Sequence, residues 1–347
     1  MMSEPKTKTL WLLEKLKKEH RLELDEYEYL IKEKTLEMIY YAGDLASDLR
    51  EKFYGREVLI QGLIEIENGC SKDCLSCGIR QKNRDHEMYT LTKEQILFCC
   101  EKGYALGFRT IVLQSDAGKL SVETVCDIIS EIRRQYPDCA VTFSLGDYSC
   151  GEYEQMYHAG ADRYCLCFGT ADEEQHKKLQ KYCLRDLKKI GFQTGCGFMV
   201  GSPNKTPQTM AKILKFVEEF KPDMCFIGSF IPQNDKPFVS FFPETLLQTV
   251  YMIALIRLIR PNILLSVSSA LGSIAEDGRE RGIKAGADAV MLNLSPISVR
   301  NEHGLYENKV DRDEAEARFE RLKCSLTRIG YEAVFGRGSI KNKRFTV

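Results

Sequence analysis

The sequence lacks a long apolar run, an excess of charge of either sign and an apolar leader. The longest membrane-span candidate, residues 246–259, is interrupted by Gln248 and Arg257, so no transmembrane segment is predicted. Forty-nine basic and fifty acidic residues give a net charge of −1, which provides no field to attract nucleic acid or anionic lipid. Residues 1–19 carry charges throughout and contain no apolar signal core. These absences predict a cytoplasmic protein that binds neither nucleic acid nor a membrane.

Cysteine, by contrast, is abundant, with 14 residues in a chain of 347. Without an export signal, reduced thiols and a metal site are a better interpretation than disulfides. Cys70, Cys74 and Cys77 form a C-x3-C-x2-C pattern. Three thiolates this close together can hold three corners of a cubane iron–sulfur cluster and leave the fourth iron open to a small molecule. On spacing alone, a three-cysteine zinc site that lacks its fourth ligand is the alternative.

From Val58 onward, short β-branched runs alternate with amphipathic helical stretches. The predicted strands are residues 59–66, 110–114, 140–145, 163–168, 195–200, 225–230, 263–267 and 289–294. The predicted helices are residues 93–106, 121–135, 152–158, 173–190, 207–220, 243–259, 277–285 and 313–329, and glycines mark several of the returns to strand.

Eight such units predict a closed parallel (β/α)8 barrel of the TIM type, with an open doubly wound sheet as the structural alternative. Residues 10–53 have helical periodicity. We therefore predict a helical N-terminal extension over residues 1–57 and a barrel with a C-terminal helical region over residues 58–347. The cysteine loop follows the first strand directly, which predicts a position at the barrel mouth, where active sites of this fold lie.

A cluster-binding loop in this place resembles the radical S-adenosylmethionine (SAM) superfamily. The resemblance extends to the group that contains biotin synthase, methylornithine synthase and the FeFe-hydrogenase maturase HydE, with HydE and methylornithine synthase most similar. The phrases that carry it are Gly62-Leu-Ile-Glu-Ile-Glu, Cys74-Leu-Ser-Cys-Gly-Ile-Arg80, Thr110-Ile-Val-Leu-Gln-Ser115, Thr142-Phe-Ser-Leu-Gly146, Ala159-Gly-Ala-Asp-Arg-Tyr164, Gly197-Phe-Met-Val-Gly-Ser-Pro203, Phe230-Ile-Pro232, Ser268-Ser-Ala-Leu-Gly272 and Ala285-Gly-Ala-Asp288.

The resemblance implies an enzyme in which Cys70, Cys74 and Cys77 hold a 4Fe–4S cluster that binds and reductively cleaves SAM. A 5′-deoxyadenosyl radical would then act on a small-molecule or metal-bound substrate inside the barrel, with electrons from an external flavodoxin- or ferredoxin-type donor. The implied SAM contacts are Ser76, Asp116, Ser144, Met199, Val200, Gly201 and Ile231. The implied substrate cavity contains Gln114, Ser115, Cys165, Cys167, Ser268 and Ser269.

Three departures from the group affect this assignment. Ser76 stands where relatives carry an aromatic residue, and Asp116-Ala117 stands where they carry Gly-Glu. Cys167-Phe168-Gly169 replaces an Arg-x-Glu sequence, and Arg185 is a weak substitute for the arginine that meets the SAM carboxylate. The implied alternatives are therefore a methylornithine-synthase-like mutase and a cluster-carrying barrel that no longer cleaves SAM.

The fourth strand suggests a second metal site. Cys165 and Cys167 are two residues apart, so both project to the same side of the strand. If that side is the interior and Cys196 also points inward, three thiols would suit a soft metal ion or a second cluster. The alternative is that they are small buried hydrophobic residues. The second cluster of biotin synthase and the C-terminal accessory cluster of some maturases are not predicted, because their cysteines are absent.

Overall fold

The computed structural model describes residues 4–68, 89–115, 120–168, 174–202, 206–231, 242–300 and 314–338. Its strands are β1 (Glu57–Glu65), β2 (Thr110–Gln114), β3 (Ala140–Ser144), β4 (Arg163–Phe168), β5 (Gln193–Val200), β6 (Met224–Ser229), β7 (Leu264–Val267), β8 (Ala289–Asn293) and β9 (Glu332–Val334). Its helices are α1 (Glu4–Glu19), α2 (Leu24–Lys32), α3 (Leu36–Tyr54), α4 (Lys93–Ala105), α5 (Val122–Gln135), α6 (Cys150–His158), α7 (Glu174–Ile190), α8 (Pro207–Phe220), α9 (Phe242–Ile259), α10 (Ser269–Ile274), α11 (Gly278–Lys284), α12 (Ile297–Arg300) and α13 (Ala315–Arg328).

The first eight strands form a closed parallel barrel. Each pairs with the next in sequence, and β1 pairs with both β2 and β8, with Gly62 opposite Ile111 and Leu59 opposite Ala289. The predicted (β/α)8 barrel is confirmed, and the open sheet is wrong. Within the described residues, no helix is long and apolar enough to cross a membrane.

Local sequence signals explain why the elements begin and end where they do. Helices α4, α5, α6 and α8 each start after a Ser or Thr whose hydroxyl accepts a hydrogen bond from a backbone N–H of the first turn. Gly107, Gly160, Gly191 and Gly286 follow helices with positive φ, a conformation that side chains disfavour. These signals place the predicted strands and long helices within two residues of their observed bounds.

The three N-terminal helices pack on the outside of the barrel. Helix α3 contacts α9, and α2 contacts α8. The Tyr27 hydroxyl donates to Glu218 at 2.7 Å, and a ring nitrogen of His20 lies 2.7 Å from the carbonyl oxygen of Leu258. The helical character of residues 10–53 is thus confirmed, while their separation as an extension over residues 1–57 stays a prediction.

The C-terminal segment closes the end of the barrel where the strands begin. Strand β9 pairs with the start of β1, and the Thr110 hydroxyl donates to the carbonyl of Gly336 at 2.8 Å. Arg163 donates to Gln193 at 2.7 Å and to the carbonyl of Arg337. The predicted C-terminal helical region is therefore incomplete, because it also contains a strand. A ligand would therefore enter the interior from the opposite end, where the strands end.

Candidate functional site

Glycines on β5 reveal which side chains point into the barrel. A Cβ added to Gly195 would lie 3.1 Å from Cβ of Cys165 and from Cε of Met224. Met224 packs with Leu59, Leu264 and Ala289, which come from strands around the barrel. Since successive side chains on a strand alternate in direction, every second residue counted from these positions faces the lumen.

An apolar layer forms the floor of the accessible lumen. Leu63, Val112 and Met291 pack together with Phe226. Beneath this layer lies a buried polar pair, in which the Ser266 hydroxyl donates to Oε1 of Gln61 at 2.8 Å. Stacked layers of inward side chains are the usual filling of such a barrel. A ligand that enters from the mouth would therefore meet the floor at about half the depth of the barrel.

Apart from Glu65 at the end of β1, the walls above the floor are polar and uncharged. Alternation directs the following side chains into the lumen at this level: Gln114, Ser144, Cys167, Ser268 and Asn293. The inward positions of β5 and β6 at this level are Gly197 and Gly228, and among the described residues the nearest atom to a Cβ at Gly228 would be the Phe198 carbonyl oxygen at 4.0 Å. No described side chain therefore fills the space beside Gly228.

The rim contains a buried carboxylate that the sequence analysis did not assign. Glu65, at the end of β1, accepts a hydrogen bond from the Asn293 side chain at the end of β8. Its backbone N–H donates to the Ser295 hydroxyl at 2.8 Å, and Asn293 accepts from the Ser295 backbone N–H at 2.8 Å. Alternation along β1 could have predicted that Glu65 faces inward. Its bond to Asn293 could not be predicted from a local pattern, because the two residues are more than 200 positions apart in sequence.

Both ends of the cysteine loop are held at this rim. Glu67 and Thr90 form an antiparallel bridge, and the backbone N–H of Tyr89 donates to the side chain of Asn68 at 2.7 Å. The Ser115 hydroxyl donates to the Glu67 carboxylate, which ties β2 to the same stem. The loop that carries the cysteine motif therefore leaves and rejoins the described chain at the barrel mouth.

Five of the predicted site residues lie outside the described residues, so their placement is not tested: Cys70, Cys74, Ser76, Cys77 and Asp116.

The other predicted SAM contacts gather at the mouth. Ser144 and Met199 occupy inward positions near the ends of β3 and β5. Gly201 follows β5 with φ +84°, and half-buried Ile231 follows β6. Val200 ends β5, and its side chain lies in the core between sheet and helices. The roles of these residues in binding stay predictions.

The two residues of each predicted cavity pair, Gln114-Ser115 and Ser268-Ser269, have different surroundings. Gln114 is half-buried and faces the lumen, while Ser115 is buried and its hydroxyl is bonded to Glu67. Ser268 precedes helix α10, and its hydroxyl has no hydrogen-bond partner among the residues that the structure describes. Ser269 is the first residue of that helix. Ser268 is therefore the member of its pair that remains open to a ligand.

The predicted three-thiol metal site is wrong in one member. Cys165 and Cys167 face the lumen, because added Cβ atoms at Gly195 and Gly197 would approach their sulfurs at 3.2 and 2.6 Å. Cys196 points to the opposite side of β5, where its sulfur lies 3.9 Å from that of Cys225 in the outer core. Burial raises the pKa of Cys165, which favours the neutral thiol. In the described parts of the chain, no group of three metal-ligating side chains is found.

Comparison with proteins of known function identifies relatives over most of the chain. It is 36% identical over 275 residues to the FeFe-hydrogenase maturase subunit HydE of Thermotoga maritima, and the alignment covers 77% of this chain and 78% of that protein. It is 26% identical over 308 residues to 3-methylornithine synthase of Methanosarcina acetivorans, and the alignment covers 86% of this chain and 84% of that protein. No protein-family model matches the sequence.

Among solved structures, methylornithine synthase (PylB) superposes with a TM-score of 0.76 at 20% identity, over 93% of this chain and 97% of that one. The hydrogenase maturase HydG superposes with a TM-score of 0.74 at 16% identity, over 95% of this chain and 76% of that one. At these identities the structures support the fold alone.

Proposed function

The chain belongs to the radical SAM superfamily, in the group of HydE, 3-methylornithine synthase and biotin synthase, and is therefore an enzyme. We propose that it is a HydE-like enzyme that cleaves SAM reductively. The observation that carries the proposal is the position of the cysteine loop. Its two stems are bonded at the mouth of a closed barrel whose upper walls are polar, with Glu65 as the charged group among the lumen positions described above. Cys70, Cys74 and Cys77 would hold a 4Fe–4S cluster there, because three thiolates suit an iron–sulfur cluster with one open iron.

The described lumen fits this assignment. Gly197 and Gly228 add no side chain to the wall, and the space beside Gly228 is open. Ser268 has a buried hydroxyl oxygen without a partner in the described residues, which a ligand would satisfy. When bound, the cluster and SAM would supply a 5′-deoxyadenosyl radical to this space. The protein would position the substrate and keep water out, since the floor seals the lumen from below.

The proposed partners follow from this chemistry. The substrate is a small molecule or a metal-bound precursor that fits above the Phe226 floor. The cluster needs single electrons from an external flavodoxin- or ferredoxin-type donor. We propose a cytoplasmic location, in keeping with the reduced thiols that such a cluster requires.

Anaerobic reconstitution tests the cluster assignment. We expect about four irons and four sulfides per chain in the native protein. Cys74→Ala should lose most of this iron, whereas Cys324→Ala, which removes an exposed thiol on α13, should retain it. Equal iron in the two variants would contradict the assignment.

Incubation with SAM and dithionite tests the reaction. The reconstituted protein should form 5′-deoxyadenosine and methionine, which chromatography with mass detection measures. A cluster-bearing protein that forms neither product would be the carrier that no longer cleaves SAM.

The second candidate is a methylornithine-synthase-like mutase, which the match over 86% of the chain favours. Adding lysine distinguishes it, because a mutase would convert lysine into a rearranged amino acid and a maturase-like enzyme would leave it unchanged.

A further inference from the structure

Two thiols follow Arg163 on the inner face of β4. Cys165 and Cys167, here called the thiol pair, occupy successive inward positions against Gly195 and Gly197. A Cβ at Gly197 would come within 2.6 Å of the Cys167 sulfur, a distance that real contacts do not show. The two glycines therefore make room for the thiol pair.

Only one member of the thiol pair can touch a ligand in the lumen. Cys165 is 2% exposed and lies beside Gly195 and Met224, whereas Cys167 is exposed although its side chain projects into the barrel. The Ser144 hydroxyl lies 4.0 Å from the Cys167 sulfur. Below them, the Thr142 hydroxyl is fully buried and has no partner in the described residues. The Cys167 thiol thus borders the open lumen, with polar groups beside and below it.

Two ordinary roles for paired cysteines are a disulfide and a metal site. Residues two apart on one strand are separated by roughly 6.6 Å, near the upper end of the range that disulfides span, and the reduced state that the proposed cluster requires keeps both as thiols. Two thiols also fall short of the three or four ligands that structural metal sites use, and Cys196 points away. A reactive role for the Cys167 thiol itself remains.

Hydrogen-atom transfer is the reaction that distinguishes a thiol from the other side chains of this wall. An S–H bond is weaker than the C–H bonds of a sugar or an alkyl chain, and weaker than the O–H and N–H bonds of Ser144, Ser268, Gln114 and Asn293. A carbon radical in the lumen would therefore take hydrogen from Cys167 before any of these.

We propose that Cys167 is a catalytic hydrogen-atom donor, which rests on the proposed radical SAM function. The Cys167 thiol gives its hydrogen atom to a carbon radical of the substrate, so that a C–H bond forms, the S–H bond breaks and a sulfur radical remains. One electron from the flavodoxin- or ferredoxin-type donor and one proton from solvent then restore the thiol. Each turnover consumes two electrons, one for SAM cleavage and one for the sulfur radical, and SAM is not regenerated.

Deuterium labelling tests this proposal without knowledge of the substrate. The reconstituted protein is incubated in D2O with SAM and dithionite, in buffer free of other thiols. Only exchangeable S–D groups can pass solvent deuterium to the adenosyl carbon, because O–D and N–D bonds are too strong. The 5′-deoxyadenosine formed should carry one deuterium in the native protein and in Cys165→Ala, and none above background in Cys167→Ala or Cys167→Ser.

The outcomes distinguish a failure of the role proposed for Cys167 from a failure of the proposed radical SAM function. Equal deuterium in native protein and Cys167→Ala, or unlabelled 5′-deoxyadenosine from the native protein, would overturn the role of Cys167 alone. No 5′-deoxyadenosine from the native protein would overturn the proposed function and this role with it.

A second measurement needs neither cluster nor SAM turnover. Iodoacetamide should alkylate Cys167 in the folded apoprotein and leave Cys165 unmodified, as peptide mass spectrometry shows. Added 5′-deoxyadenosine should slow the modification of Cys167 but not that of exposed Cys324. Alkylation of Cys324 with an unreactive Cys167 would contradict an open thiol in the lumen.

Discussion

The two ends of the barrel are built from different residues. At the end where the strands begin, arginines bind backbone carbonyls and aspartates. Fully buried Arg257 donates to the carbonyls of Gly286 and Ile263 and pairs with fully buried Asp288. Arg337 pairs with Asp162 at 2.7 Å across the closing C-terminal segment. Most of the charged groups described at this end are thus bound to one another or to backbone carbonyls.

At the mouth, the inward side chains are hydroxyls, amides, a thiol and glycine, with Glu65 as the one charged group among the lumen positions described above. Among these groups, the Ser268 hydroxyl has no hydrogen-bond partner in the described residues. We infer that stability is concentrated at the closed end and ligand binding at the open one, which is the usual division in this fold. The following variants test that division.

The largest effect is expected from the closed end. Asp288→Asn leaves the buried Arg257 guanidinium without its counter-charge, so we expect a loss of about 3–5 kcal/mol in the free energy of unfolding, measured by urea titration. The matched control is Asp277→Asn, which breaks an exposed pair with Arg281 and should change stability by less than about 1 kcal/mol. If the two variants lose similar stability, the closed end is not the stabilising one.

A smaller effect is expected at the mouth. Gly197→Ala forces a methyl group against the Cys167 sulfur, and we expect a loss of about 1–3 kcal/mol. Gly228→Ala, which enters open space, should be nearly neutral. The double variant Gly197→Ala/Cys167→Ala should recover most of the loss. A double variant as unstable as Gly197→Ala would show that the thiol is not what the glycine accommodates.

A pH-dependent effect is expected from a thiol at the closed end. Burial raises the pKa of Cys139 from 9 to about 11. Between these values the unfolded chain loses the proton while the folded chain keeps it, so the stabilisation by this thiol is present below pH 9 and lost as pH rises through 11. The stability difference between native protein and Cys139→Ala should shrink by on the order of 1–2 kcal/mol from pH 8.5 to pH 11. A constant difference across this range would contradict the buried neutral thiol.

Much of the fold was predictable because its signals are local. Strands such as Thr110–Gln114 and helices such as Pro207–Phe220 have the predicted bounds. Short elements were missed, since helix α10 and strand β9 contain six and three residues, too few to show a period. These two elements nevertheless help to shape the mouth and close the opposite end.

The site was less predictable because it depends on register between strands. The inward direction of Cys165 and the outward direction of Cys196 follow from the alignment of Cys165 with Gly195, which no local pattern encodes. The bond between Glu65 and Asn293 likewise joins the first and last barrel strands. Only the order of the strands around the barrel brings such residues together.

SAM binding at the cluster is tested most directly by the electron paramagnetic resonance spectrum of the dithionite-reduced, reconstituted protein, recorded with and without SAM. We expect the signal of a reduced 4Fe–4S cluster, with g-values that shift when SAM binds the open iron at the mouth. A cluster signal that is unchanged by saturating SAM would contradict SAM binding at this cluster.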